Sequence, residues 1–420
     1  LKAGPAASPP APPGTAEQRG AVRGGPRAVA GAADRRAGPM ALSDMFNAAA
    51  ARMIFCVWVF IYEALAYNVV FLGRVLPAME KRSRIIPFSI AFNITWCMAL
   101  WSYFKAHLTY PGTAPGRWKE FAVHAGEYLN VVPARVEWQP GKATFCRKCD
   151  LPRPERAHHC NVCGCCILRF DHHCPWVNNC IGFRNHKFFL LLGVYTTLAS
   201  YVGLITTFPE LINCAMNMAS RKDGLQWVEE KLQTSDIIVF LIFSILTLVV
   251  ATLLTVMLAI HLPFAAKNVT TVEDHYVNMP NPFDQGSVAA NLAQVFGAYG
   301  PDWLLPVRPS RPLSDGVSFA RADEILGDDG LPRQILEEDD VEGYENLWRI
   351  RYHVFTPEWA MREANWNEAL GESDALTTLT RWWRGTGAGT SSQVQAFVPW
   401  ASKSSRKPPS AATQSWLTTG

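Results

Sequence analysis

A chain of 420 residues with 49% apolar residues and a formal net charge of only +3 has room for one or two domains of ordinary size. Its mean hydropathy of +0.02 conceals a strong segregation. The apolar residues are gathered into four long blocks, which excludes a single soluble core and indicates a polytopic membrane protein.

In chain order, the first segment is a leader, Leu1 to Pro39, built from Ala, Pro, Gly and Arg with hardly any apolar bulk. It cannot bury a core, and residues 1–45 are expected to be disordered. The chain opens on Leu1 rather than Met, so the sequence is expected to be either incomplete or over-extended at this end, with Met40 or Met45 as a candidate start. A transit peptide is the rival reading, since the leader is Arg-rich and acid-poor, but it is Pro-rich and not amphipathic.

The four blocks, Met53–Gly73, Ile85–Phe104, Phe188–Phe208 and Ile237–Ile260, each come near or above the roughly 20 residues that span a hydrocarbon layer. The last three contain no Asp, Glu, Lys or Arg. The first carries Glu63 and Asn68, which in a span face the bundle interior or a water-filled cavity. Trp101 and Tyr103, at the end of the second block, suit an interfacial aromatic belt.

Four spans place both termini and the loop from Lys105 to Lys187 on one side. That loop holds twelve Lys and Arg residues, which favours the cytosol, although Arg74, Lys81, Arg82 and Arg84 in the first hairpin weaken the argument. Eight of the eleven cysteines lie between Cys146 and Cys180, and so dense a set of thiols stays reduced more easily on the cytosolic side. Beyond the fourth block, the tail past Arg308 alternates acidic runs ("LEEDDVEGYE") with Trp-bearing stretches such as "LWRIRYHVFTPEWAMREANW". Two placements are open for that stretch: an amphipathic segment on the membrane surface, or a helix packed on its own domain.

The loop repeats itself. Cys146, Cys149, His159 and Cys166 follow C-x2-C-x9-H-x6-C, and the same pattern returns fourteen residues later as Cys160, Cys163, His173 and Cys180. Two interleaved Cys3His sets suit two tetrahedral zinc ions, and a closed set of four ligands points to structural metals. A disulfide framework does not account for histidines that repeat with the cysteines. Asp171, His172, Cys174, His158 and Cys165 belong to neither set. Cys174 has an imidazole two residues away and a carboxylate beside that, the ingredients of a thiolate nucleophile with an oriented base. Spacing alone leaves this open against a spectator thiol.

The stretches "RPERAHHC" (Arg153–Cys160) and "DHHCPWVNNCIGFRNHKFF" (Asp171–Phe189) resemble the cysteine-rich domain of DHHC-type protein S-acyltransferases, the palmitoyltransferases. "TTVE" (Thr270, Thr271, Glu273) resembles that family's TTxE motif, and "NLAQVFG", with Asn291 and Phe296, its C-terminal motif. The resemblance covers roughly Met53 to Pro306. It implies an all-α membrane protein of four transmembrane helices with a cytosolic cysteine-rich loop domain binding two zinc ions. The expected division is leader 1–45, helices one and two 53–104, cysteine-rich domain 105–187, helices three and four 188–260, TTxE and C-terminal motif segment 261–306, and variable tail 307–420.

The resemblance further implies that Cys174 takes a long-chain acyl group, such as palmitoyl, from acyl-CoA and passes it to cysteines of substrate proteins, with His172 as base and Asp171 orienting it. Thr270, Thr271, Glu273 and Asn291 are expected to support the site. Trp176, Phe189 and Leu192 are expected to wall the acyl chain, whose burial contributes about 0.8 kcal/mol per CH2, with Tyr195, Thr196 and Tyr201 as residues that limit its length. Lys142, Arg147, Lys148, Arg153, Arg156, Arg169, Arg184 and Lys187 would offer a basic surface to CoA or to anionic lipid. Expected partners are palmitoyl-CoA, membrane lipid and proteins with cytosolic juxtamembrane cysteines. Nucleic acid is not expected, because the spacing does not fit a nucleic-acid finger. The expected location is an endomembrane (Golgi or ER) or the plasma membrane, with the active site and both termini cytosolic.

Three features depart from the pattern: Tyr110 precedes Pro111 and Gly112 where the family commonly has Asp, Cys165 is an extra thiol, and the glycosylation-like "NIT" at Asn93 and "NVT" at Asn268 are expected to be silent. The alternative to an enzyme is a zinc-stabilised membrane scaffold, which would need only the eight ligands.

Overall fold

The computed structural model describes residues 48–220, 232–321 and 347–354. The leader, the acidic run of the tail and everything beyond Val354 lie outside the described residues.

Among the described residues, four helices are long and apolar enough to cross a membrane: Ala50–Ala78, Arg82–Leu108, His186–Met216 and Thr234–Ala266. Each outruns its hydropathy block, because helical hydrogen bonding continues into the polar flanks. The first changes from α-helical over Ala48–Leu65 to π-helical over Ala66–Val75, where Tyr67, Phe71 and Leu72 are buried. The third span packs along the second and the fourth, and the π-helical part of the first closes against the fourth. Gly193 allows the close approach of the third and fourth spans, since a Cβ there would lie 2.5 Å from Met257 Cε.

The acidic and amide side chains Glu63, Asn68, Asn93 and Glu210 inside the spans are buried or half-buried, as hydrocarbon requires. Glu63 is buried, and Asn68 and Asn93 exchange side-chain hydrogen bonds of 3.0 and 2.8 Å. Because the third helix continues past its apolar block, Glu210 is carried into it and is fully buried. Lys81 Nζ reaches its carboxylate at 2.6 Å and Arg84 at 3.3 Å, while Arg74 pairs with Asp236 at 2.9 Å. Tyr103 does not join an aromatic belt: it is 2% exposed, packed beside Phe60 and His107, with its hydroxyl donating to the Trp176 carbonyl.

Between the second and third spans lie a short helix, Gly116–Ala125, and seven three- or four-residue strands: β1 (Val131–Pro133), β2 (Ala143–Cys146), β3 (Leu151–Arg153), β4 (His158–Cys160), β5 (Cys165–Ile167), β6 (His172–Cys174) and β7 (Asn179–Ile181). β2–β3, β4–β5 and β6–β7 are antiparallel hairpins, and β1 lies parallel to β2.

The described part of the tail is built into this module. Residues 347–351 are helical, and Trp348 and Tyr352 pack on Trp118 at ring-centroid distances of 5.8 and 4.8 Å. The Tyr352 hydroxyl donates to Val317 O and accepts the Glu155 N–H. Of the two placements open for the Trp-bearing stretch, its first eight residues take the one against their own domain. Trp348 is 2% exposed, so Trp348→Ala is expected to destabilise the module by about 3 to 5 kcal/mol. Thermal unfolding of the purified protein is the check, and an unchanged midpoint would show that the tail merely rests on the surface.

Candidate functional site

The fourteen-residue repeat is a repeat of hairpins. Cys146 pairs with Leu151, Cys160 with Cys165 and Cys174 with Asn179, so each hairpin places a cysteine at the same register position. The turns repeat as well, with Asp150 (φ 52°), Gly164 (φ 69°) and Asn178 (φ 49°) in the left-handed region favoured by Gly, Asn and Asp.

Each metal set is shared between successive hairpins. In the first, His159 Nδ1 lies 3.6, 3.2 and 4.0 Å from the sulfurs of Cys146, Cys149 and Cys166. In the second, His173 Nδ1 lies 3.8, 3.5 and 3.5 Å from those of Cys160, Cys163 and Cys180. Four donors around one tetrahedral zinc stand roughly 3.5 to 3.8 Å apart. Both sets therefore fit such an ion, and both can hold a metal. All eleven cysteines are free thiols, so no disulfide framework competes.

Cys174 occupies the ligand position of the third hairpin, yet the residue that would complete its Cys-x2-Cys pair is Val177. Its sulfur keeps the backbone hydrogen bonds of a metal-binding turn. Val177 and Trp176 N–H groups point at it as Cys163 and Val162 do at Cys160. Burial pushes the Cys174 thiol up, but the hydrogen bond with His172, these N–H groups and the imidazolium charge bring it below the ordinary thiol value. Cys165 differs: burial and neighbouring thiols push it up, which leaves it a poor nucleophile.

His172 donates from Nδ1 to Asp171 Oδ2 at 2.6 Å, which leaves Nε2 for the thiol. Burial pulls this imidazole down, but its hydrogen bonds and charge interactions with Asp171 and Cys174 lift it to about 9. Asp171 is 1% exposed. Burial pushes its carboxyl up, and the His172 hydrogen bond, the His186 and His172 charges and the Thr271 N–H overcome this and hold it well below the usual range. Thr271 fixes it twice, N–H to Oδ1 at 2.8 Å and hydroxyl to the Asp171 carbonyl at 2.6 Å. The arrangement can hold a thiolate beside an imidazolium oriented by a carboxylate, in an apolar setting of Phe60, Val177, Phe188 and Phe189.

The remaining motif residues buttress this pair. Glu273 takes a two-pronged ion pair from Arg156 at 2.7 Å, and accepts the Thr270 N–H. Arg156 also reaches Asn268 and is sandwiched by Phe283 and Phe319 at 4.7 and 4.9 Å, and Arg169 donates to the same Asn268 amide. Asn291 donates to the Ala266 carbonyl and to Asp284, tying the C-terminal motif to the end of the fourth span. At Tyr110-Pro111-Gly112 the backbone does the holding, since the Pro111 and Gly112 carbonyls accept from Arg184 and Leu168 N–H groups.

Of the residues expected to wall an acyl chain, Phe189 stands edge-on to His172 at 5.1 Å and Leu192 packs on the cluster around Cys174. The Trp176 indole is 55% exposed, and it is the backbone of Trp176 that joins the site. Tyr195 donates to the Leu304 carbonyl, and Tyr201 pairs with Thr255. The expected basic surface is smaller than counted, because Arg153, Arg156, Arg169 and Lys187 are interior. His158 is held neutral near 4 by burial and the adjacent Arg153.

The site holds one further residue to which no spacing points. His261, on the fourth span, lies with Nδ1 3.7 Å from Asp171 Oδ2 and its ring 5.4 Å from His172. Its signal was an imidazole within an otherwise apolar run.

Residues 139–277 match the family model described as DHHC palmitoyltransferase. The chain is 32% identical to "Probable protein S-acyltransferase 13" of Arabidopsis thaliana over 243 residues, 56% of this chain and 78% of the relative. The chain belongs to the DHHC palmitoyltransferase family. This palmitoyltransferase is also 32% identical to "Palmitoyltransferase ZDHHC2" of Homo sapiens (58% of this chain, 68% of the relative) and 30% identical to "Palmitoyltransferase ZDHHC15A" of Danio rerio (60% and 79%). It is a multi-pass membrane protein and a protein S-acyltransferase, and an inactive scaffold is not favoured.

Proposed function

We propose that Cys174 carries the acyl group. Its thiolate attacks the thioester carbonyl of a long-chain acyl-CoA, palmitoyl-CoA first among them; the C–S bond to CoA breaks, and the departing sulfur takes the proton held by His172. A substrate-protein thiol then gives its proton to His172 and attacks the Cys174 thioester, returning Cys174 as thiolate. One thioester replaces another, so the task of the site is alignment and activation. Asp171 orients His172 and stabilises its charged form, Thr271 holds Asp171, and Thr270, Glu273 and Asn291 brace the segment carrying Thr271. Cys146, Cys149, His159 and Cys166 hold one zinc and Cys160, Cys163, His173 and Cys180 another; these ions fix the hairpins that present Cys174. The observation that carries the reading is a ligand-position cysteine outside both metal sets, two residues from an Asp171-held His172.

The cysteine-rich loop and both termini are assigned to the cytosol of an endomembrane or the plasma membrane, and substrates are proteins with cysteines close to that surface. Supporting this, the loop from Lys105 to Lys187 holds twelve Lys and Arg residues against the four of the first hairpin, Arg74, Lys81, Arg82 and Arg84. Phe189 and Leu192 line the start of the acyl chain's path.

The test is transfer from a clickable palmitoyl-CoA to the purified protein at matched zinc content. Hydroxylamine-sensitive label is expected on wild type and Cys165→Ser and absent from Cys174→Ser; label retained in Cys174→Ser overturns the assignment. Titration supplies a second check. With the thiol lowered and the imidazole raised to about 9, thiolate and imidazolium coexist below pH 9, until acid protonates the sulfur. Alkylation of Cys174 is therefore expected to titrate below the ordinary cysteine value of roughly 8.5, and to move upward in His172→Ala. An ordinary midpoint in wild type would contradict the ion pair.

A further inference from the structure

Asp171, His172 and His261 bring a carboxylate oxygen and two imidazole nitrogens within 4.8 Å of one another, outside both Cys3His sets. His261 is not explained by the transfer reaction. Its Nδ1 is buried without a hydrogen-bond partner among the described residues, in a helix that runs apolar from Ile237 to Ile260. An orphaned polar atom at that depth is costly unless something engages it. The atom in front of it is Asp171 Oδ2, 3.7 Å away, the same oxygen that accepts from His172 at 2.6 Å. Phe189 stands edge-on to both rings, at 5.1 Å from His172 and 4.9 Å from His261, and keeps them facing the carboxylate.

We propose that these three side chains form a third, inhibitory site for a divalent cation of the zinc class. Two imidazoles and one carboxylate, with a fourth position left for water, are a donor set that suits zinc. Ligand atoms about a tetrahedral zinc stand roughly 3.3 Å apart when the bonds are 2.0 to 2.2 Å. The Asp171–His261 pair is already close to that spacing, and the Asp171–His172 pair needs to open by less than the width of a bond. On binding, the metal takes the place of the Nδ1 proton between Asp171 and His172, and that proton passes to buffer. The hydrogen bond that orients His172 is thereby replaced, and the imidazole is withdrawn from proton transfer. The inhibitory half of the proposal rests on the roles proposed for Asp171 and His172; the metal-binding half does not.

The experiment titrates buffered free Zn2+ into the zinc-replete full-length protein, following bound metal by elemental analysis and Cys174 acylation with the clickable palmitoyl-CoA. Wild type is expected to bind a third equivalent, with acylation lost over the same range and restored by mild chelation that leaves two ions in place. His261→Gln is expected to stop at two equivalents, with the half-inhibiting free zinc raised at least about tenfold. Two equivalents in wild type, or a third retained in His261→Gln, overturns the proposal. A third equivalent lost in His261→Gln but without inhibition in wild type keeps the metal site and overturns the catalytic roles of Asp171 and His172 instead. Should His261→Gln fail to fold, Co2+ in wild type decides. The third Co2+ is expected to add d–d absorption without a thiolate charge-transfer band, and a thiolate band on that ion rejects the ligand set.

Discussion

Changing Asp171 to Asn is expected to slow acylation of Cys174 by about 10³- to 10⁴-fold, with both metal sets loaded and the fold intact. The reason lies in which oxygen each neighbour holds. Thr271 N–H donates to Oδ1 at 2.8 Å, so an asparagine keeps its carbonyl there and turns its NH2 toward His172. That NH2 donates to Nδ1, which obliges the neutral imidazole to carry its proton on Nε2, the nitrogen facing the thiol. The ring then has no lone pair for the Cys174 proton. A single-turnover acylation assay with metal analysis on the same samples is the check; a loss under tenfold would show that Asp171 does not set the tautomer.

The second large effect concerns stability. Glu273 and Arg156 have side chains 1% exposed and share a two-pronged ion pair at 2.7 Å. Glu273→Ala leaves the guanidinium buried without its counter-charge and is expected to cost about 3 to 5 kcal/mol, a large part of what holds an ordinary domain together. Arg156 stands between Phe283 and Phe319, so it cannot swing into water without opening that cluster. The double change Arg156→Met with Glu273→Leu removes both charges and is expected to recover most of the loss. Thermal unfolding of the three proteins decides, and a double variant no more stable than Glu273→Ala would show that the hydrogen bonds to Asn268 dominate.

Spans and metal sets were legible in the sequence because each is written in a local code. Hydropathy over some twenty residues announces a helix in lipid, and ligand spacing announces a tetrahedral site. The role of Thr271 came through resemblance, but its two bonds to Asp171 join residues 100 apart and no spacing rule reaches so far. His261 is silent in the sequence because one imidazole in an apolar run carries no pattern. Composition alone makes Arg156 and Arg169 surface charge, since it does not say that Glu273 and Asn268 wait inside. Tyr103 looked like a belt residue from its place at a span end and proved to be core, because the turn over Cys174 folds back onto it. The threefold hairpin register escaped the spacing argument for a simpler reason: its third member has Val177 where the others have cysteine.

Glu210 bears on how the protein is made. Its carboxylate is fully buried near the far end of the third span, and the cations that cover it, Lys81 and Arg84, lie between the first and second. Synthesis runs from the amino terminus, so both cations are made before the acid, and Arg74 likewise precedes its partner Asp236. The buried acid of the third span therefore packs against counter-charges that are already synthesised, as an ion-paired group rather than as a lone charge.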